Sequence, residues 1–182
     1  WNKIKTLVLT LHTKSKNMKK IIPSEIGLKA ISNFITSAVV PRPIAFVSTI
    51  NQNGQANLSP FSFFNAFSSD PPILIFSAAK SALTGKQKDT YHNVKANAEC
   101  VIHIANYAMV EQLSVTRGAY PSDVNEFVKG GFTEEKSILV KPPRIKEAPI
   151  AFECKVNQII ELGDTGGSGN LVICEIVAIH VD

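Results

Sequence analysis

The stretch from Val40 to Thr90 contains PRPIAFVSTINQNGQANLSPFSFFNAFSSDPPILIFS and closes on KDT, and it confines this chain to short antiparallel strands. Ile44 to Ile50 is rich in β-branched and aromatic residues and is bounded by Pro43 and by turn formers, which predicts a strand. Asn51, Gln52, Asn53 and Gly54 supply the turn, since Asn-Gly accepts positive φ at little steric cost. Gln55 to Phe64 is predicted to return, Ser68-Ser69-Asp70-Pro71-Pro72 to turn again, and Ile73 to Ser77 to form a third strand. The density of Ser, Thr and Asn exceeds what a plain sheet needs. Small hydroxyl and amide groups at strand ends suit a grip on a polar ligand.

Beyond the stretch the pattern continues. Asp89 to Ala98 reads as a short helix with Asp89 as its N-cap, and Glu99 to Ala105 as a strand. Val110 to Thr116 reads as one or two helical turns, and Tyr120 to Lys129 as mixed and loop-like before the break at Gly130-Gly131. Phe152 to Leu162 and Leu171 to Val181 are β-rich runs joined by a glycine-rich loop, the pattern of a hairpin. With 182 residues and no dividing linker, one domain large enough to bury a core is expected.

The net charge of +4 is slight, and much of it lies in the lysines before residue 21. No basic stripe interleaved with aromatics is present, which argues against nucleic acid and against an oligonucleotide-binding barrel. Residues 1–20 are expected to be an extension, disordered or non-native, ahead of a single domain over 21–182. Met18-Lys19-Lys20-Ile21 has the look of a natural start. Residues 6–11 are too short for a secretory apolar region of roughly 7–15 residues, and no run of about 20 apolar residues offers a membrane span. The expected address is the cytoplasm, with no membrane partner. Cys100, Cys154 and Cys174 each sit in an apolar β-type run and read as buried, reduced thiols. The histidines lack metal-ligand spacing, and His103 reads as a satisfied core or strand-edge residue.

Other motifs fail on context. Gly163–Asn170 lacks the dinucleotide-binding spacing and leads into a strand. Gly85-Lys86 lacks the first glycine and the Ser or Thr of a P-loop, and Ser59 and Ser62 lack a nucleophile elbow.

The ordered series Arg42-Pro43-Ile44, Ser48-Thr49, Asn57 to Asn65, Ser69 to Pro72, Lys88-Asp89-Thr90 with Asn93, Asp123 to Phe127, Gly131 to Thr133, Pro143 to Ile145 and Phe152 to Cys154 resembles the flavin reductase-like family. That resemblance implies a mainly β fold with a few short helices, an antiparallel β-barrel of the FMN-binding split-barrel kind. It implies FMN as cofactor, with NADH or NADPH as transient co-substrate, and an oxidoreductase that passes hydride from the nicotinamide to FMN. The alternative it leaves open is a flavoredoxin-like electron-transfer protein, with FMN bound and a redox protein as acceptor. It further implies a homodimer. No catalytic side chain is required, because flavin N5 accepts hydride itself.

The residues matched for binding are Lys88 and Thr90 at the phosphate, with the helix N-terminus behind them, and Asp89 between the two as a further cofactor-binding residue. Asn57, Leu58 and Ser59 are matched at the ring edge, and Ser48, Thr49, Ser62 and Arg42 nearby. The chain stops at Asp182, directly after the last β-type run, where members of that family continue, so a fragment or short form is expected.

Overall fold

The structure is a computed structural model that describes residues 18–118 and 120–182; the expected extension lies, up to residue 17, outside them. Contacts divide the chain into a unit ending at Val40 and a second unit, Pro41–Asp182. The first contains a 3-10 turn, Pro23–Glu25, and a helix α1, Leu28–Ala38. The sequence reading did not anticipate α1. Its apolar residues do recur at helical spacing (Leu28, Ile31, Phe34, Ile35), but Ser32, Asn33, Thr36 and Ser37 weaken the helical signal.

The second unit carries strands β1 (Ala45–Ile50), β2 (Ala56–Phe61), β3 (Phe64–Ser69), β4 (Pro72–Ser77), β5 (Glu99–Ile104), β8 (Ile150–Glu161) and β9 (Asn170–Val181) in one seven-stranded sheet. Two short strands, β6 (Glu134–Glu135) and β7 (Arg144–Ile145), pair with each other. Helices α2 (Asp89–Asn97), α3 (Val110–Val115) and α4 (Glu126–Gly130) fill the connections.

The sheet order is β2-β1-β5-β8-β9-β4-β3, and every pairing is antiparallel. Its two edges, β2 and β3, are consecutive in the chain and are separated only by Ser62 and Phe63. A flat sheet of this width would place its edge strands about 29 Å apart at the usual inter-strand spacing. The chain from Phe61 to Phe64 spans at most about 11 Å. The sheet therefore has to curl until the end of β2 meets the start of β3, and the two edge strands do not pair, which leaves a seam between them. At the link the β3–β4 ladder extends by one rung, with Ser77 N donating to Phe63 O (2.9 Å), and the Phe61 ring of β2 meets the Phe76 ring of β4 with centroids 5.1 Å apart.

This closure explains the apolar patterning. Ala45 and Val47 pack into the interior with Phe61, Phe76, Cys100, Ile102, Cys154, Val172 and Cys174. Phe46, which points the other way, joins Leu58, Met109, Phe127, Phe132 and Ile145. A strand covered on both faces reads as a continuous apolar run instead of an alternating one. The three cysteines are free and buried, as expected.

Several boundaries differ from the sequence reading. The expected strand Gln55–Phe64 ends at Phe61 and a separate strand β3 follows, because the apolar run FSFFNAF hides the break at Ser62-Phe63. The expected N-cap of α2 shifts from Asp89 to Lys88, since the Asp89 carboxylate instead accepts from Ser122 Oγ (3.1 Å). Residues read as loop contain α4, which Asn125 caps by accepting from Phe127 N (2.9 Å) and Gly131 ends at φ 69°. No helix among the described residues is long and apolar enough to cross a membrane.

His103 has the structural role expected of it. Its Nε2 accepts from Ile145 N (2.9 Å), so Nδ1 carries the proton and donates to Phe46 O (2.8 Å), tying β1, β5 and β7 together. Burial pushes its pKa down to about 4. The unfolded chain, with an ordinary histidine pKa near 6.5, then binds a proton that the folded chain refuses. Stability is fully present above about pH 6.5 and falls toward pH 4, by up to about 3 kcal/mol from this residue. Urea denaturation followed across that range should show the loss, and His103→Leu should flatten it while lowering stability near neutrality by about 2–3 kcal/mol.

Candidate functional site

Two cavities flank the seam. A polar one of about 520 Å³ is lined by Arg42, Ile44, Pro60, Ser62, Lys88, Leu113, Ser114 and Arg117. An apolar groove of about 380 Å³ is lined by Phe63, Phe64, Phe67, Ile75, Leu162 and Leu171 among others. Ser62 faces the first and the next residue, Phe63, the second, so the short link between β2 and β3 borders both.

The polar cavity collects its charges from separate elements. Arg42 precedes β1, Ser62 follows β2, Lys88 caps α2 and Arg117 follows α3. Lys88 Nζ is held 5.7 Å from the centroid of the Phe61 ring at the end of β2, which fixes its reach over the cavity. No carboxylate is among the lining residues. The N-terminus of α2, with unpaired amides in its first turn, adds partial positive charge beside Lys88. Such a site suits an anion.

Behind it runs a buried polar chain. Thr90 Oγ1 donates to Asn57 Oδ1 (2.9 Å), and Thr49 Oγ1 donates to the same oxygen (3.3 Å). Asn93 Nδ2 donates to Thr49 Oγ1 (3.0 Å). Asn57 Nδ2 donates to Glu126 Oε1 (2.9 Å), and Leu58 N donates to Glu126 Oε2 (3.2 Å). Glu126 is only 7% exposed. Burial pushes its carboxyl above the usual range, against the opposing pull of these hydrogen bonds, and the nearby Asp89 charge pushes the same way. The chain joins α4, β2, β1 and α2, and so sets where the start of α2 stands relative to the barrel.

The residues matched from sequence thus fall into groups. Arg42, Ser62 and Lys88 meet at the polar cavity. Thr49, Asn57 and Thr90 belong to the buried chain, and Asn57 and Asp89 also line a small cavity of about 90 Å³ with Asn93 and Ser122. Leu58 packs its side chain in the core while its N–H is taken by Glu126. Ser59 is half-buried on β2 opposite Val47. Ser48 is fully buried on β1, and its Oγ finds no hydrogen-bond partner among the described residues. The sequence motifs include Glu126 without giving it a role, Ser114 reads only as one face of a helical turn, and Arg117 carries no motif signal.

The chain belongs to the flavin reductase like domain family, whose model matches residues 37–182. Protein YwrF of Bacillus subtilis is 36% identical over 160 residues, covering 87% of this chain and 77% of that one. Among solved structures, nitrilotriacetate monooxygenase component B from Bacillus cereus superposes with a TM-score of 0.86 at 31% identity, over 92% of this chain and 83% of that one. A protein with a split barrel domain from Shewanella frigidimarina superposes with a TM-score of 0.78 at 23% identity, over 92% and 81%. The curled seven-stranded sheet is accordingly a split barrel, as the sequence implied.

Glu126→Ala leaves the Asn57 amide and the Leu58 N–H without their acceptor in a dry setting. It should lower stability by about 2–3 kcal/mol, read as a shift in the urea midpoint, with Glu126→Gln costing less.

Proposed function

We propose that this protein binds FMN and acts as an oxidoreductase that passes hydride from NADH or NADPH to the flavin. The observation that carries this reading is the polar cavity, where Arg42, Ser62 and Lys88 converge from three elements beside the start of α2. A phosphomonoester carries close to two negative charges near neutrality, and the donor set matches it. Lys88 and Arg42 supply the opposing charge, Ser62 a hydroxyl donor, and the helix start backbone amides. The adjoining apolar groove suits a flat aromatic ring.

FMN, when bound, supplies N5 as the hydride acceptor. The protein's part is to bind, orient and shield. The buried chain from Glu126 to Thr90 holds α2 in place, so that Lys88 meets the phosphate without rearrangement. Family membership supports a flavin substrate. The likeness to a monooxygenase component favours delivery of reducing equivalents to a second protein or reaction. The reading extends to a homodimer acting in the cytoplasm, as the family resemblance implies.

The test is an absorbance spectrum of the purified protein supplied with FMN, followed by anaerobic NADH or NADPH. Perturbed flavin bands that bleach on addition are expected. Bound flavin that does not bleach would overturn the nicotinamide step in favour of electron transfer from another donor, and no binding would overturn the whole reading. Lys88→Ala should weaken FMN binding about tenfold in a fluorescence titration.

A further inference from the structure

The polar cavity contains one cation that the family motifs do not account for. Arg117 lies beyond the end of α3, and its N–H donates to Ser114 O (3.4 Å), which turns the chain so that Arg117 and Ser114 line the same cavity. Arg42 and Lys88 enter from the barrel and from α2, so Arg117 brings the third positive charge from a different element. Neither Lys88 nor Arg117 pairs with a carboxylate among the described residues. Lys88 and Arg117 face one cavity without a lining carboxylate and repel each other, and an anion of nearly two charges relieves that repulsion. A guanidinium also presents its donors in a fork that fits two oxygens of one phosphate, which an ammonium does not.

We propose that Arg117, with Ser114 beside it, is a further phosphate contact. It closes the cavity around the terminal phosphate of the flavin and makes the site selective for phosphorylated flavin over riboflavin. The proposal rests on the flavin reading above. The plain alternative is that Arg117 only satisfies the carbonyl end of α3, where a cation is favoured in any case. The two differ in what they move: an end-of-helix role changes stability alike with and without ligand, whereas a phosphate contact changes the discrimination between FMN and riboflavin.

The experiment titrates the full chain, as wild type, Arg117→Gln and Arg117→Lys, with FMN, riboflavin and inorganic pyrophosphate, following flavin fluorescence and thermal unfolding. The expected result is FMN binding about tenfold or more weaker in R117Q, partly restored in R117K, with riboflavin binding unchanged. The advantage of FMN over riboflavin in the wild type should shrink as salt is raised. If wild type and R117Q prefer FMN over riboflavin to the same degree, Arg117 is not a phosphate contact. If no flavin binds the wild type, the flavin reading fails. Pyrophosphate then decides Arg117 on its own: stabilisation of the wild type that R117Q loses upholds an anion site there, and equal effects on both overturn it.

Discussion

The structure depends on the two residues between Phe61 and Phe64. They join strands at opposite edges of a seven-stranded sheet, and a link that short cannot cross a flat one. Closure follows from connectivity, and the rest follows from closure. It creates an interior that Phe61, Phe76 and the cysteines fill, and it buries β1 on both faces. It also leaves a seam where the edge strands β2 and β3 meet at one end without pairing. Polar cavity and apolar groove both open beside that seam, which is where a barrel has room to admit a ligand without breaking its ladder.

The polar residues of the candidate site divide labour in a way their spacing does not announce. Thr49, Asn57, Thr90 and Asn93 resemble ligand-binding groups on paper, yet they spend hydrogen bonds on one another and on Glu126. Arg42, Ser62 and Lys88 line the polar cavity. One set is a frame, and the other borders the cavity that the frame positions. A buried carboxylate anchors the frame because its two oxygens tie α4 to β2 through two bonds at once, from the side chain of Asn57 and from the backbone of Leu58.

Much of the fold was legible because its signals are local. The Asn53-Gly54 turn, the β-branched runs and the glycine-rich link between β8 and β9 each fix a neighbouring element. The break at Ser62-Phe63 was not legible, since no turn residue marks it; closure dictates it from afar. Asp89 misled for a related reason: a good capping residue found a better use in bonding Ser122, some thirty positions downstream. Arg117 and Ser114 lie at the end of a short helical segment that carries no binding motif, and only the three-dimensional arrangement brings them beside Lys88.

The cysteines give the barrel a built-in reporter. Cys100, Cys154 and Cys174 stand on three different strands, none exposed, and Cys154's thiol is pushed up by its contact with Cys100 and by burial. A thiol in that condition does not react with alkylating reagents while the strands hold, because the reactive thiolate is absent and the sulfur is out of reach. Labelling then becomes a clock: the rate at which an alkylating reagent marks these sulfurs reads how often the β5, β8 and β9 strands part, and any molecule that stiffens the barrel will slow it.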